Sequence, residues 1–138
     1  VTVGDVSASK FRNITVNQPE ATGMLINPDF SLGTAGWDDP SVVYIADGAA
    51  MTLSTENGEF KAEVTAGFNF FTPRFGQMNI PFEQGKTYEV SFDARSTVQK
   101  EIALQVGELL SSAPWFTDFL PPAENIIYRT IGTTMARY

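Results

Sequence analysis

The chain has 138 residues, a length that predicts one domain with a single hydrophobic core. It contains no cysteine and no histidine, which excludes disulfides, thiolate metal sites, zinc hydrolase motifs and Ser-His-Asp triads. Its formal net charge of -7 at pH 7 argues against a nucleic-acid partner, because affinity for a phosphate backbone depends on clustered lysine and arginine.

The first 23 residues predict a segment in front of the main domain. They contain the short β-type fragments VTV and ITV and the turn-like NQPEATG, which fit either an added strand or an ordered linker. A basic region followed by an apolar segment is missing at the N-terminus, and no run reaches the ~18 apolar residues of a membrane span. We therefore expect neither a signal peptide nor a membrane partner in this chain, and a domain over residues 24–138.

A tight β-hairpin is predicted in the next part of the chain. AAMTLS (49–54) and EFKAEV (59–64) flank Asn57-Gly58, a dipeptide that readily adopts the positive φ angles of a two-residue turn. Further strands are predicted on either side of this hairpin, at SVVYIA (41–46) and at FNFFTPRFGQMNI (68–80), which Pro73 interrupts.

The second half of the chain predicts four more strands. TYEVSFDAR (87–95) alternates between apolar and polar side chains, and IALQV (102–106) repeats that period. We predict that these two strands pair as a hairpin. WFTDFL (115–120) and IIYRTIGTT (126–134) follow. Since strands recur about every ten residues between Gly, Pro and Asn turns, the sequence predicts an all-β sandwich of two antiparallel sheets.

Aromatic residues concentrate at two places: around Pro73 (Phe68, Phe70, Phe71 and Phe75) and after Pro114 (Trp115, Phe116 and Phe119). Alternation along a strand puts Trp115 and Phe119 on one face and Phe116 on the other, so the rings of this group cannot all face one core. Two interpretations stay open: the rings are core, or some form a platform for the apolar faces of a sugar. Trp37 is expected in the core. The polar partners that a sugar would need are Arg74, Gln77, Gln105 and Asp118.

The acidic residues predict no catalytic pair, because the close pairs lie in turns and nothing places two carboxyl groups across a cleft. Four aspartates could supply the oxygen ligands that Ca²⁺ prefers, although their spacing matches no EF-hand. They are Asp29, Asp38, Asp39 and Asp47. The sequence thus names no certain cofactor and leaves a structural calcium open. Asn13-Ile14-Thr15 matches the acceptor pattern for N-glycosylation.

Three stretches carry a pattern that resembles a known family. They are LINPDFSLGTAGW (25–37), QMNIPFEQGKTYEVSFDARS (77–96) and IALQVGELLSSAPWFTDFL (102–120). In this order they resemble family 4 carbohydrate-binding modules and their relatives in families 9, 16 and 22. The third stretch is most similar to the modules attached to laminarinases, in which a Pro-Trp pair precedes an aromatic strand.

The resemblance implies a jelly-roll β-sandwich whose concave face binds a polysaccharide, with β-1,3 or mixed-linkage β-glucan favoured. It implies a non-catalytic module, linked to a glycoside hydrolase or a tandem module, in a secreted or cell-surface protein. Trp115 and Phe71 would stack on sugar rings, and Tyr44 would supply a third wall. Gln77 and Gln105 would bond hydroxyl groups.

This chain departs from the family pattern at two places. Ser31 stands where the family has an acidic residue after the opening phenylalanine, often linked to a structural calcium. The family's last apolar strand, with its Asp-x-Val element, has no counterpart after residues 126–134, whereas VTVGDVSAS at the N-terminus resembles it. We expect residues 1–9 or a partner chain to cover the edge that a missing strand would expose.

Two other functions compete with glycan binding. In one, the aromatic face docks another protein or a neighbouring repeat, as in a structural or assembly module. In the other, the chain is a small glycan-active enzyme. Binding without release of reducing ends would separate a module from an enzyme, and a concentration-dependent oligomer would favour assembly.

Overall fold

The computed structural model describes residues 7–17, 23–46, 48–67, 72–119 and 126–138. Its secondary structure in these ranges is nine β-strands, all in antiparallel pairings, which confirms the predicted all-β sandwich class. The strands are β1 (Ser7–Asn17), β2 (Ala50–Glu56), β3 (Glu59–Ala66), β4 (Glu89–Ser96), β5 (Lys100–Leu104), β6 (Gly107–Leu109), β7 (Phe116–Asp118), β8 (Ile127–Ile131) and β9 (Ala136–Arg137). Within the described ranges, no helix is long and apolar enough to cross a membrane.

The larger sheet has five strands in the order β2-β3-β1-β4-β9. Its middle strand is β1, which places Phe11 opposite Phe60 of β3 and opposite Ala94 of β4. The first 23 residues were predicted to form either an added strand or a linker. Ser7–Asn17 form a strand, and it lies inside the sheet and not at its edge. Residues 1–6, the first part of the stretch that resembles the family's last strand, lie outside the described ranges.

The hairpin between β2 and β3 is confirmed. Glu56 pairs with Glu59 across the turn, and Asn57 and Gly58 have φ angles of 54° and 74°. Two consecutive positive φ angles are the backbone conformation that the twist of an antiparallel pair requires in a two-residue turn.

The predicted hairpin between residues 87–95 and 102–106 is wrong, because β5 pairs with β8 instead of β4. After β4, the amide of Ser96 donates to the carbonyl of Gly132 (2.9 Å) and the amide of Thr97 donates to the carbonyl of Ala8 (3.0 Å). The first bond joins the end of β4 to the residue after β8, and the second still joins the chain to β1, before β5 begins in the opposite layer. Alternation therefore predicted both strands and assigned them the wrong partner.

Other predicted strands are shorter or absent. Residues 41–46 form no strand; within the described ranges they make one isolated bridge, between Tyr44 and Arg74. The amides of Val42 and Val43 both donate to the carbonyl of Asp39, which closes a turn where the strand was predicted. Of the strand predicted at 68–80, the described part is irregular.

The core lies between the larger sheet and a second layer that consists of two separate ladders, β5–β8 and β6–β7. Phe60 is fully buried, and its ring centroid is 4.9 Å from those of both Phe30 and Phe75. Ile102 of β5 and Ile131 of β8 belong to the same buried cluster, so the ladder β5–β8 packs on the larger sheet. Trp37 is also buried in this cluster, as predicted.

The outer face of the larger sheet is charged and paired. Its ion pairs, at 2.7 to 3.3 Å, are Lys10–Glu56 between β1 and β2, Arg95–Glu59 between β4 and β3, Arg137–Asp93 between β9 and β4, and Lys61–Glu63 within β3. Cross-strand pairs of opposite charge stabilise a solvated sheet face modestly. Among the described residues these paired charges make this a solvated face, and the functional site is sought elsewhere.

Phe60→Ala should destabilise the protein by about 3–5 kcal/mol, because it removes a ring from the closed centre of the core and leaves a cavity. The free energy of unfolding in urea would measure this loss. Phe119→Ala is the matched control: Phe119 is 56% exposed, and the same truncation there should cost less than about 1 kcal/mol. Equal losses for the two variants would contradict this description of the core.

The pH dependence of stability can be predicted at Asp93. Asn13 Nδ2 donates to its carboxylate (3.0 Å) and Arg137 pairs with it, and both lower the pKa of Asp93 below its ordinary value of 3.8. A carboxyl whose pKa is lower in the folded state stabilises the fold above its unfolded-state pKa, and this stabilisation is lost as the pH falls through the folded-state pKa.

Asp93→Asn should therefore lower the free energy of unfolding by up to about 1 kcal/mol at pH 7. The difference from wild type should shrink towards about pH 2.5. Urea unfolding at the two pH values measures both numbers. A difference that stays constant on acidification would show that the charge of Asp93 does not contribute.

Candidate functional site

A groove of about 480 Å³ opens between segment 74–82 and the strands of the second layer. Its floor is the core itself, because Phe11, Trp37 and Phe92 all line it. In the described part of the chain the ladders β5–β8 and β6–β7 are separate, and residues of β5, β6 and β7 line the groove. It is thus an apolar trough with access from the surface.

Polar side chains from both sides reach the groove. Three of them were predicted from the sequence as site residues: Arg74, Gln77 and Gln105. Arg74 and Gln77 come from the irregular segment, and Gln105 follows β5 directly. The fold brings these three residues to one groove although 28 positions separate Gln77 from Gln105 in the sequence.

Tyr44, the predicted third wall, does not line the groove and instead contacts Arg74, which does. Their backbones exchange two hydrogen bonds, of 3.1 and 3.0 Å. The Arg74 guanidinium carbon lies 5.1 Å from the centroid of the Tyr44 ring, and Arg74 Nε donates to the carbonyl of Val42 (3.3 Å). A guanidinium stacked on an aromatic face is held by cation–π attraction. Burial of Arg74 lowers the pKa of its side chain from the ordinary value.

Gln77 anchors a loop. Its Nε2 donates to the carbonyls of Ile26 (2.9 Å) and Gly36 (3.3 Å), and its Oε1 accepts from the amide of Ile26 (2.7 Å). Both amide hydrogens are therefore used by the backbone of the loop. The structure thus gives Gln77 a positioning role. A bond from Gln77 to a ligand hydroxyl stays a prediction, and it would have to use the side-chain oxygen Oε1.

Asn27 organises the same loop from within. The buried Asn27 amide donates to the carbonyls of Gly33 and Ala35 (2.8 and 3.0 Å) and accepts from the amide of Leu32 (2.9 Å). The carbonyl of Asn27 accepts from Trp37 Nε1 (3.0 Å). The Asn-to-Trp spacing of this stretch is thus a folding motif, since the asparagine closes the loop and the tryptophan packs beneath it.

The hairpin β6–β7 carries the second aromatic group. Phe116 pairs with Leu109 and lines the groove, whereas the rings of Trp115 and Phe119 are 61% and 56% exposed. The difference in exposure fits the predicted separation of Phe116 from the other two rings, but Trp115 precedes β7 and the face assignment stays a prediction. Phe119 lines the groove as well, while Trp115 lies at the turn of the hairpin, where its φ angle is 69°. Asp118 is half-buried in β7, opposite Gly107.

Phe82 and Glu108 are two of the lining residues that were not predicted from the sequence. Phe82 stands edge-on to both Tyr88 (4.8 Å) and Phe119 (6.0 Å) and forms the aromatic end of the groove. Pro81 interrupts the alternation that could have assigned it to a face. Glu108 lines the groove with its charge. Phe71, a predicted stacking residue, lies outside the described ranges.

In the described part of the chain, no group of three or more acidic side chains is placed so that it could hold a calcium ion. Asp29 accepts two hydrogen bonds from Ser31, and Asp39 accepts two from Ser41. These bonds lower the pKa of both carboxyls and show the aspartates closing their own turns. Asp47 lies outside the described ranges.

Gly107→Ala should disrupt the hairpin that carries these rings. A Cβ atom on Gly107 would overlap the carbonyl oxygen of Thr117 and lie 2.7 Å from Phe116 Cζ, so the pairing of β6 and β7 would have to open. We expect a fall in melting temperature and a change in the fluorescence of Trp115. Gly132→Ala is the matched control, because nothing lies within 4 Å of its Cβ position. Similar effects of both changes would contradict the close packing described for Gly107.

Comparison with known proteins identifies the family. The model of a carbohydrate-binding domain, that of families 4 and 9, matches residues 22–118, which is more than half of the chain. No curated protein and no solved structure gives a significant match. The matched residues include the loop organised by Asn27, the segment that carries Arg74 and Gln77, and the hairpin with Trp115. The chain therefore belongs to the family of carbohydrate-binding domains of families 4 and 9.

Proposed function

We propose that this domain is a non-catalytic module that binds a β-glucan chain, with β-1,3 or mixed linkage favoured, along the groove. One observation supports this most: the aromatic rings of Phe116 and Phe119 and the polar side chains of Gln105 and Arg74 line one trough. A pyranose has apolar C–H faces and a polar edge of hydroxyl groups, and this combination of rings and hydrogen-bonding groups suits both.

The exposed rings give such a site its apolar contact. Phe119 contributes from within the groove, and Trp115 extends the aromatic surface at the hairpin turn. Flat rings remove water from a sugar face with little loss of side-chain freedom, since they have two rotatable bonds. Each polar contact adds on the order of 1 kcal/mol net. Dissociation constants in the micromolar to millimolar range are therefore expected.

The biological setting follows from the same proposal. A module of this kind keeps a covalently linked glycoside hydrolase, or a tandem module, on its polysaccharide. The similarity of residues 102–120 to modules of laminarinases supports a β-1,3-glucan as the target. Polysaccharides of this type are met outside the cell, so we place the full-length protein in the secreted or cell-surface class.

An assembly function is the second candidate. It is favoured by the exposure of apolar side chains away from the groove, at Ile26 (62%) and Leu32 (70%), and by the position of Trp115 outside the groove lining. Exposed apolar groups of this size can mark a protein interface. In that case the protein would form concentration-dependent oligomers that hide Trp115 from solvent.

Trp115→Ala and Phe119→Ala should each weaken glucan binding about tenfold or more, because each removes a stacking ring. The melting temperature should change little, since both rings are exposed. Affinity electrophoresis in gels that contain laminarin, lichenan, xylan or no polysaccharide measures the binding. Tyr128→Ala is the matched control: Tyr128 is an exposed aromatic residue on β8 that does not line the groove.

Three results would overturn the proposal. Wild-type protein that binds none of the polysaccharides would remove its basis, and an oligomer detected by light scattering would then favour assembly. Reducing ends released from laminarin would show an enzyme. A large fall in stability of Trp115→Ala would assign that ring to the core instead of the binding surface.

A further inference from the structure

Arg74 is a partly buried cation without an acidic partner among the described residues. The described salt bridges join Lys10, Lys61, Arg95 and Arg137 to carboxylates, and Arg74 is in none of them. The Tyr44 ring lies beside it, 5.1 Å from the guanidinium carbon. This cation lines the groove in a protein whose net charge is -7.

The guanidinium is fixed in place while most of its donors stay available. Its Nε is bonded to the carbonyl of Val42, and its plane is held over the Tyr44 ring. Within the described ranges, the two Nη groups form no hydrogen bond. A guanidinium has five N–H donors in a rigid fork that matches a carboxylate. Arg74 therefore presents a preorganised anion-binding group to whatever enters the groove.

From this arrangement we propose that the natural ligand carries a carboxylate, as a uronate residue within the glucan chain, and that Arg74 binds it. The inference rests on the proposed function, because it places the acidic sugar in the same groove. Glu108 lines that groove too and disfavours a second carboxylate close to it. The predicted ligand is therefore a mainly neutral chain with an acidic residue beside Tyr44, and not a polyanion.

The net negative charge of the protein is compatible with such a ligand. At physiological ionic strength the Debye length is about 8 Å, so distant charges are largely screened. The outer face of the larger sheet carries both signs in pairs. The attraction between Arg74 and a carboxylate in contact with it is thus stronger than the repulsion from the net charge of the protein. The charge-assisted hydrogen bond should raise the affinity for the acidic ligand about tenfold.

Calorimetry with two matched probes tests this inference. One probe is a laminarin oligosaccharide, and the other is the same oligosaccharide partly oxidised at C6 to glucuronate. We expect wild-type protein to bind the oxidised probe about tenfold more tightly, and Arg74→Gln to bind both equally. Arg129→Gln removes the same charge from an exposed position on β8 and should keep the preference. Raising the salt concentration should reduce it in the wild type.

The outcomes separate this inference from the proposed function. Equal binding of the two probes by the wild type would overturn the uronate inference and leave the glucan module intact. Binding of neither probe would overturn the proposed function together with it. A preference that survives in a folded Arg74→Gln variant, or that does not respond to salt, would show that Arg74 is not the group responsible. If that variant fails to fold, the wild-type comparison and its salt dependence still decide.

Discussion

A continuous chain of aromatic contacts holds this sandwich together and also determines its site. Seven rings are in sequential contact, with centroids 4.9 to 6.1 Å apart: Trp37, Phe30, Phe60, Phe75, Phe11, Phe92 and Tyr138. They connect the first loop, three strands of the larger sheet and the last residue of the chain. Since Trp37, Phe75 and Phe92 also line the groove, the floor of the site is as rigid as the core, and any change there alters both.

A second constraint fixes the groove from the side. Gln77 bonds to the loop that Asn27 closes, and this loop holds Trp37 against the core. Gln77 belongs to the irregular segment that also carries Arg74. This segment, which forms one side of the groove, is therefore positioned by hydrogen bonds and not by regular strand pairing. An irregular backbone allows two adjacent walls to approach the groove at an angle that a flat strand would not give, while its polar groups remain satisfied.

The features that depend on neighbouring residues could be predicted from the sequence, whereas those that depend on contacts between distant parts of the chain could not. Asn57-Gly58 specifies its turn without any other part of the chain, so the hairpin β2–β3 was predictable. Alternation also predicted the strands β4 and β5. It could not show that β1 lies between β3 and β4, because the edge that a strand pairs with is chosen by packing across the whole sheet. Likewise, the bonds of Gln77 reach a loop 51 positions away, which no local pattern indicates.

The division of the second layer is what makes a binding site compatible with a stable core. A continuous sheet would cover Phe11 and Phe92 completely and leave no groove. Two short ladders leave a trough whose floor is apolar, and exposed apolar surface of this kind favours a ligand that can cover it. Arg74 and Gln105 at its sides require hydrogen-bonding partners from the same ligand, since desolvating them without partners would cost free energy. A molecule with flat apolar faces and polar edges meets both demands, and a sugar chain has that form in every unit.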